Sequence, residues 1–94
     1  MTDPLELEAR RQALLDRLRA LRSGIADLSA EYSMLPTAGL LLDTEGIGAL
    51  TTPDYCAAGA REVFEEAVIE LDAATDAITR AGAYTSRLRL AALD

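Results

Sequence analysis

The sequence predicts an all-α protein, an antiparallel two-helix hairpin, from three observations. Alanine and leucine, both strong helix formers, dominate the composition. Large apolar residues recur every seven positions in two long stretches, a pattern typical of helices that pack along a seam. A segment bounded by prolines separates the two stretches. We therefore expect a single domain over 1–94, with helices at about 4–35 and 53–92 joined by an apolar turn at about 36–52.

The first helix has clear start and stop signals. Asp3 is a favourable N-cap, Pro4 suits the first helical position, and Glu6 has the capping-box spacing. Pro36 ends the helical pattern. Two rows at seven-residue spacing form the predicted seam of this helix: Leu7, Leu14, Leu21, Leu28 and Leu35, then Leu18, Ile25 and Tyr32. Because Arg11 is the first member of the second row, we expect the seam to weaken near the N-terminus.

The second helix begins at "TTPDY". Thr52 is a suitable cap, Pro53 occupies the first helical position, and Asp54 suits the positive end of the helix dipole. Its predicted seam residues are large: Phe64, Leu71, Ile78 and Leu88. A row of small residues lies beside them: Ala60, Ala67, Ala74 and Ala81. Such small side chains allow two helix backbones to approach closely.

The apolar surface is broader than a lone hairpin can bury. Leu15 lies beside the predicted seam of the first helix, and Val63 and Tyr84 widen that of the second. Each large side chain left in water forgoes roughly 1.5–3 kcal/mol of burial. We therefore predict a homo-oligomer or a heterodimer with another helical chain, most simply a four-helix bundle with coiled-coil-like packing.

The connection "GLLLDTEGIGAL" is unusually apolar for a turn. Contiguous exposed apolar surface is uncommon in monomers, so this patch is predicted either to cap the open end of a bundle or to dock a partner. The residues of this candidate capping or docking patch are Leu40, Leu41, Leu42, Ile47 and Leu50.

The charge and hydropathy patterns restrict the class of partner. The net charge is −7, which opposes binding to nucleic-acid phosphates. No apolar run approaches the length of a membrane span, and the acidic start is unlike a cleavable signal peptide. We expect a protein partner, no nucleic acid, no membrane insertion and a cytoplasmic location. Export by a route that needs no cleavable signal is the alternative.

The usual groups of catalytic and metal chemistry are scarce. The chain has no His, which is the commonest metal ligand and general base. Its one cysteine, Cys56, cannot form an internal disulfide. We therefore expect no cofactor, no metal site and no catalytic residue. A small helical enzyme that uses Arg11 and Arg17 to bind an acidic ligand is a remote alternative.

The stretch "PDYCAAGAREVFEEAVIELDAATDAITRAG" resembles the second helix of the EspC-like branch of the small proteins of type VII (ESX) secretion in actinobacteria. The resemblance implies a helical hairpin that pairs with a similar chain and is exported without a cleaved signal peptide. The Trp-x-Gly turn of that family is absent, and so is its Tyr-x-x-x-Asp/Glu export motif, since Leu88 follows Tyr84 at that spacing.

These observations together predict a non-enzymatic helical-hairpin module for protein–protein interaction, and the resemblance implies a type VII secretion-associated protein. A small structural or adaptor subunit of a larger assembly, such as a phage particle or a multi-subunit machine, is the alternative interpretation.

Overall fold

A computed structural model describes residues 3–35 and 52–91 of the chain. Two helices, α1 at Pro4–Met34 and α2 at Pro53–Thr85, run antiparallel and pack against each other along their length. The described residues contain no strand. The predicted all-α helical hairpin is thereby confirmed.

The caps that the sequence predicts are present at both helix starts. The Asp3 carboxylate accepts a hydrogen bond from the backbone N–H of Leu5 at 2.9 Å. The Thr52 hydroxyl oxygen accepts one from the backbone N–H of Tyr55 at 3.2 Å. These caps satisfy N–H groups that have no partner inside a helix. Both helices therefore begin at the prolines that follow the caps.

The end of α2 differs from the prediction. The helix stops at Thr85 rather than near residue 92, and two turn hydrogen bonds follow, from Arg87 to Tyr84 and from Leu88 to Thr85. Thr85 lies level with Glu8, and α1 has only about one more turn before it begins at Pro4, so it offers little surface to a longer α2. A helical end without a packing neighbour is only marginally stable in water.

The contact line between the helices is rotated relative to the predicted seam. Leu15, expected beside the seam, is its most buried apolar residue and is only 2% exposed. Ser29, about four turns further along the same row, is also buried, and Arg22 between them reaches across to α2. From α2 the predicted residues Phe64, Leu71 and Ile78 are half-buried on this line.

The long leucine row therefore lies on the flank of α1. Leu7, Leu14, Leu21 and Leu28 are 48, 49, 53 and 43% exposed. Of the second predicted row, Leu18 and Ile25 are half-buried at the contact line. Tyr32 is 42% exposed but stacks on Phe64, with ring centroids 5.9 Å apart.

The rotation brings polar residues of the two helices together. With the Leu15 row turned inward, Arg22 reaches Asp72 on α2, and its Nε lies 2.6 Å from Oδ1. The same rotation brings Glu8 to Thr85, which donates a hydrogen bond to it. Ser29 adds a small side chain that permits close approach.

Truncating Leu15 should destabilise the hairpin much more than truncating a leucine outside the contact line. We expect Leu15→Ala to lower the free energy of unfolding by about 2–3 kcal/mol, because it leaves a void between the helices. Leu5→Ala, at a position 76% exposed, should cost well under about 1 kcal/mol. Urea denaturation followed by circular dichroism at equal protein concentration measures both. Equal losses would contradict the observed contact line.

Candidate interaction surface

The rotation places the two most regular apolar rows of the chain on one side of the hairpin. At about 100° per residue, the leucine row of α1 lies next to Leu18 and Ile25 and away from Arg22. On α2 the alanine row lies toward that same side: Ala60, Ala67 and Ala74 are half-buried at the edge of the contact line, and Ala81 is exposed. We name this surface the leucine–alanine face; it consists of Leu7, Leu14, Leu21, Leu28, Ala60, Ala67, Ala74 and Ala81.

The leucine–alanine face is large enough for stable docking. The 31 residues of α1 at ~1.5 Å each make it roughly 46 Å long. Two helices side by side, each about 10 Å in diameter with its side chains, are roughly 20 Å wide. The resulting area of roughly 900 Å² is close to the ~800 Å² per partner of a typical specific protein interface. Leu88 extends the face beyond the end of α2 and is 62% exposed.

The opposite side of the hairpin is a shallow groove with a polar rim. Its floor is apolar, from Phe64, Val68 and Ile69, and it encloses about 590 Å³. The ion pair between Arg22 and Asp72 crosses it. The two sides therefore differ in chemistry, because the leucine–alanine face has no such pair across it among the described residues.

A compact polar cluster replaces apolar packing where α1 begins and α2 ends. Arg11 donates from Nε and Nη2 to the two carboxylate oxygens of Glu8, at 3.1 and 2.9 Å. Its Nη1 donates to the backbone carbonyl of Ile78 at 3.3 Å. Thr85 donates its hydroxyl proton to Glu8. Arg11, predicted to weaken the seam, is instead held in it with only 15% of its side chain exposed.

The electrostatics of this cluster favour the charged forms of both partners. The hydrogen bond from Arg11, and then the one from Thr85, lower the pKa of Glu8 from 4.5 to about 2. The hydrogen bond to Glu8 raises the pKa of Arg11. A guanidinium already engaged in this way is a poor receptor for an acidic ligand, and the adjoining cavity of about 100 Å³ is far below the ~300 Å³ of a small ligand pocket.

Gly82 makes room for the guanidinium of Arg11. A Cβ atom added at Gly82 would lie 2.8 Å from Cζ of Arg11, whereas nothing lies within 4 Å of one added at Gly24. The sequence contained a signal for this cluster: a carboxylate and an arginine three residues apart, opposite a glycine. The sequence-based prediction takes Arg11 alone, as a weak point of the seam, and does not include Glu8 or Gly82.

The other residues singled out from the sequence do not form a chemical site. Arg17 is exposed and makes no ion pair with another described residue. Cys56 is free and exposed. Across residues 3–35 and 52–91, no three potential metal ligands come together. The apolar patch from Leu40 to Leu50 lies outside the described residues.

Neither described helix has a stretch both long and apolar enough to cross a lipid bilayer.

The role of Gly82 is testable with a matched pair of substitutions. Gly24→Ala should stabilise the protein by about 0.5–1 kcal/mol, because alanine is the better helix former and the added methyl group meets no atom. Gly82→Ala should yield a smaller gain or a loss, because the methyl group displaces the guanidinium of Arg11. Thermal unfolding of both variants compares them, and equal gains would argue against the close contact.

The depressed pKa of Glu8 makes a prediction about pH. A carboxylate whose pKa is lower in the folded state stabilises that state above its unfolded pKa, near 4.5, and loses this effect as the pH falls toward about 2. The wild type should therefore melt higher than Glu8→Gln at pH 6, and the difference should shrink between pH 4.5 and 2. Melting curves of both proteins across this range provide the measurement. A difference independent of pH would contradict the ion-pair account.

No protein-family model matches this chain, and neither does any characterised protein or any solved structure.

Proposed function

We propose that this protein is a non-enzymatic interaction module that acts by docking its leucine–alanine face against the apolar surface of another helical chain. The observation that carries the proposal is the exposure of Leu7, Leu14, Leu21 and Leu28, which are 43–53% exposed in one continuous row. An apolar row of this length is costly to leave in water.

The shape of the face supports a helical partner. Leucines project from α1, while the alanines beside them on α2 form a shallow channel. A helix with its own apolar stripe can pack into such a channel at about 8–10 Å, as helices do in bundles. Arg11 already forms an ion pair with Glu8, so its guanidinium is a poor receptor for an acidic substrate. This favours a binding role over a catalytic one.

The groove on the opposite side favours a second candidate function. Ile69 and Val63 are 68 and 63% exposed, so apolar surface is present on both sides of α2. A subunit inside a larger assembly would use both surfaces at once. In that role the protein would be a structural or adaptor subunit rather than one half of a discrete pair.

The resemblance to type VII secretion proteins stays a prediction, because no relative connects the chain to that family. It agrees with the proposed pairing role. Export of the tagged protein by its native host would be the direct test of that part.

Site-specific photo-crosslinking in the native host tests the docking surface without assuming a partner. A photoreactive phenylalanine analogue at Leu14 or Leu21 should yield a discrete covalent adduct with a helical chain. The same analogue at Ala20, an exposed neighbour on the outer surface of α1, is the matched control and should yield none. Adducts at Ala20 as strong as those at Leu21 would contradict the proposal.

A charge introduced into the face should remove the adduct. Leu21→Asp, combined with the crosslinker at Leu14, would place an unpaired carboxylate in an apolar interface and should abolish crosslinking. Ala20→Asp has the same added charge outside the face and should leave it unchanged. Circular dichroism of both variants verifies that the helices remain formed. Retention of the adduct in folded Leu21→Asp would show that the face is not the docking surface.

A further inference from the structure

We infer that the partner of the leucine–alanine face is a second copy of this chain, docked with the two interhelical connections at opposite ends of a four-helix bundle. This inference rests on the proposed docking function and adds the identity and the orientation of the partner. The distribution of charge along and beside the face carries it.

Charge is divided unevenly along the hairpin. The half nearer the connection, at 19–35 and 52–70, carries seven acidic side chains and three arginines, a net −4. The other half, at 3–18 and 71–91, carries six of each and is neutral. Two copies with their connections at the same end would place both acidic halves together. Opposed copies place each acidic half against a neutral half.

The residues that border the face repeat this asymmetry in detail. On the outer border of α1, Arg10 lies at one end and Glu31 at the other, in the same row. On the outer border of α2, Arg80 and Glu66 are distributed in the same way, with each arginine at the end away from the connection. Neither Arg10 nor Glu31 has an ion-pair partner among the described residues, so both are available to a second chain.

One two-fold axis satisfies both borders. A two-fold axis that crosses α1 midway between Arg10 and Glu31 places Arg10 of each copy beside Glu31 of the other copy. The midpoint of Glu66 and Arg80 falls at residue 73 of α2. Since Arg22 contacts Asp72, that midpoint lies level with the midpoint on α1. The unpaired Arg10 and Glu31 carry this placement, and the positions of Glu66 and Arg80 agree with it, although Arg80 also pairs with Asp76 of its own helix at 2.9 Å.

The packing of apolar rows is compatible with this axis. It sets the leucine row of α1 against the leucine row of the second α1, and the alanine row of α2 against its own counterpart. Leucine pairs fill a wider gap and alanine pairs a narrower one, both within the ~8–10 Å usual for packed helices. Arrangement with the connections together would instead set Arg10 against Arg80 and Glu31 against Glu66, which repel at both ends.

Charge reversal at the border distinguishes the two orientations by the sign of its effect. Arg10→Glu and Glu31→Arg should each weaken self-association of the full chain by about 3- to 30-fold, because each change creates two repulsive pairs per dimer. The double variant should restore the wild-type dissociation constant. Arg19→Glu, the same charge change on the groove side, should have little effect. Sedimentation equilibrium measures all four, and tighter association of Arg10→Glu would overturn the orientation.

The native cysteine provides an independent distance. Cys56 is exposed and is the one cysteine of the chain, so a nitroxide label can be attached without further substitution. Opposed copies place the two labels roughly 50 Å apart along the bundle axis, from 17 residues on each side of the two-fold at ~1.5 Å each. Copies with connections together place them below roughly 20 Å. Pulsed electron–electron double resonance measures this distance, and a value below roughly 20 Å would overturn the opposed arrangement.

The failure of this inference is separable from the failure of the proposed function. A purified chain that sediments as a monomer at roughly 100 µM, while the crosslinker at Leu21 captures a different helical protein, overturns the second copy as partner and leaves the docking surface in place. A monomer that also yields no adduct at Leu14 or Leu21 overturns both.

Discussion

Two packed helices share a single line of contact, so only the side chains on that line are removed from water. In this hairpin the line follows Leu15 and Ser29, and Leu15 is the one large apolar side chain that is buried among the described residues. Leu18 and Ile25 are half-buried at this line, and the long leucine row of α1 lies beside it. The exposed leucine row is the direct result of this geometry, and so is the need for further packing.

The sequence was sufficient to predict the hairpin but not the rotation of its helices. Proline-bounded caps at Asp3 and Thr52 and a sustained seven-residue repeat define two long helices without ambiguity. The rotation depends on contacts between residues far apart in the chain, such as Arg22 with Asp72. The size of the side chains favours the leucine row, whereas the observed contact line follows the row of Leu15, where Arg22 and Asp72 pair across the helices. The leucines remained good candidates for a surface that binds, but not for the internal seam.

The polar end of the hairpin shows the same effect on a smaller scale. Arg11 would be expected to disrupt an apolar seam, but Glu8, Thr85 and the carbonyl of Ile78 satisfy its donors. A buried charge is tolerated where partners of this kind are in place. The missing side chain of Gly82 supplies the space. These contacts join the two helices at the end of the hairpin away from the connection. The leucine row on the flank of α1 takes no part in them.

The central claim is that the leucine row is covered when the protein performs its role. Methyl NMR of the full chain with a soluble paramagnetic agent measures this most directly, because the agent broadens only the methyl groups that it can reach. We predict that Leu14, Leu21 and Leu28 are as protected as Leu15, while Leu5 on the outer surface is broadened. Strong broadening of Leu14, Leu21 and Leu28 in a chain whose helices are intact would contradict the account.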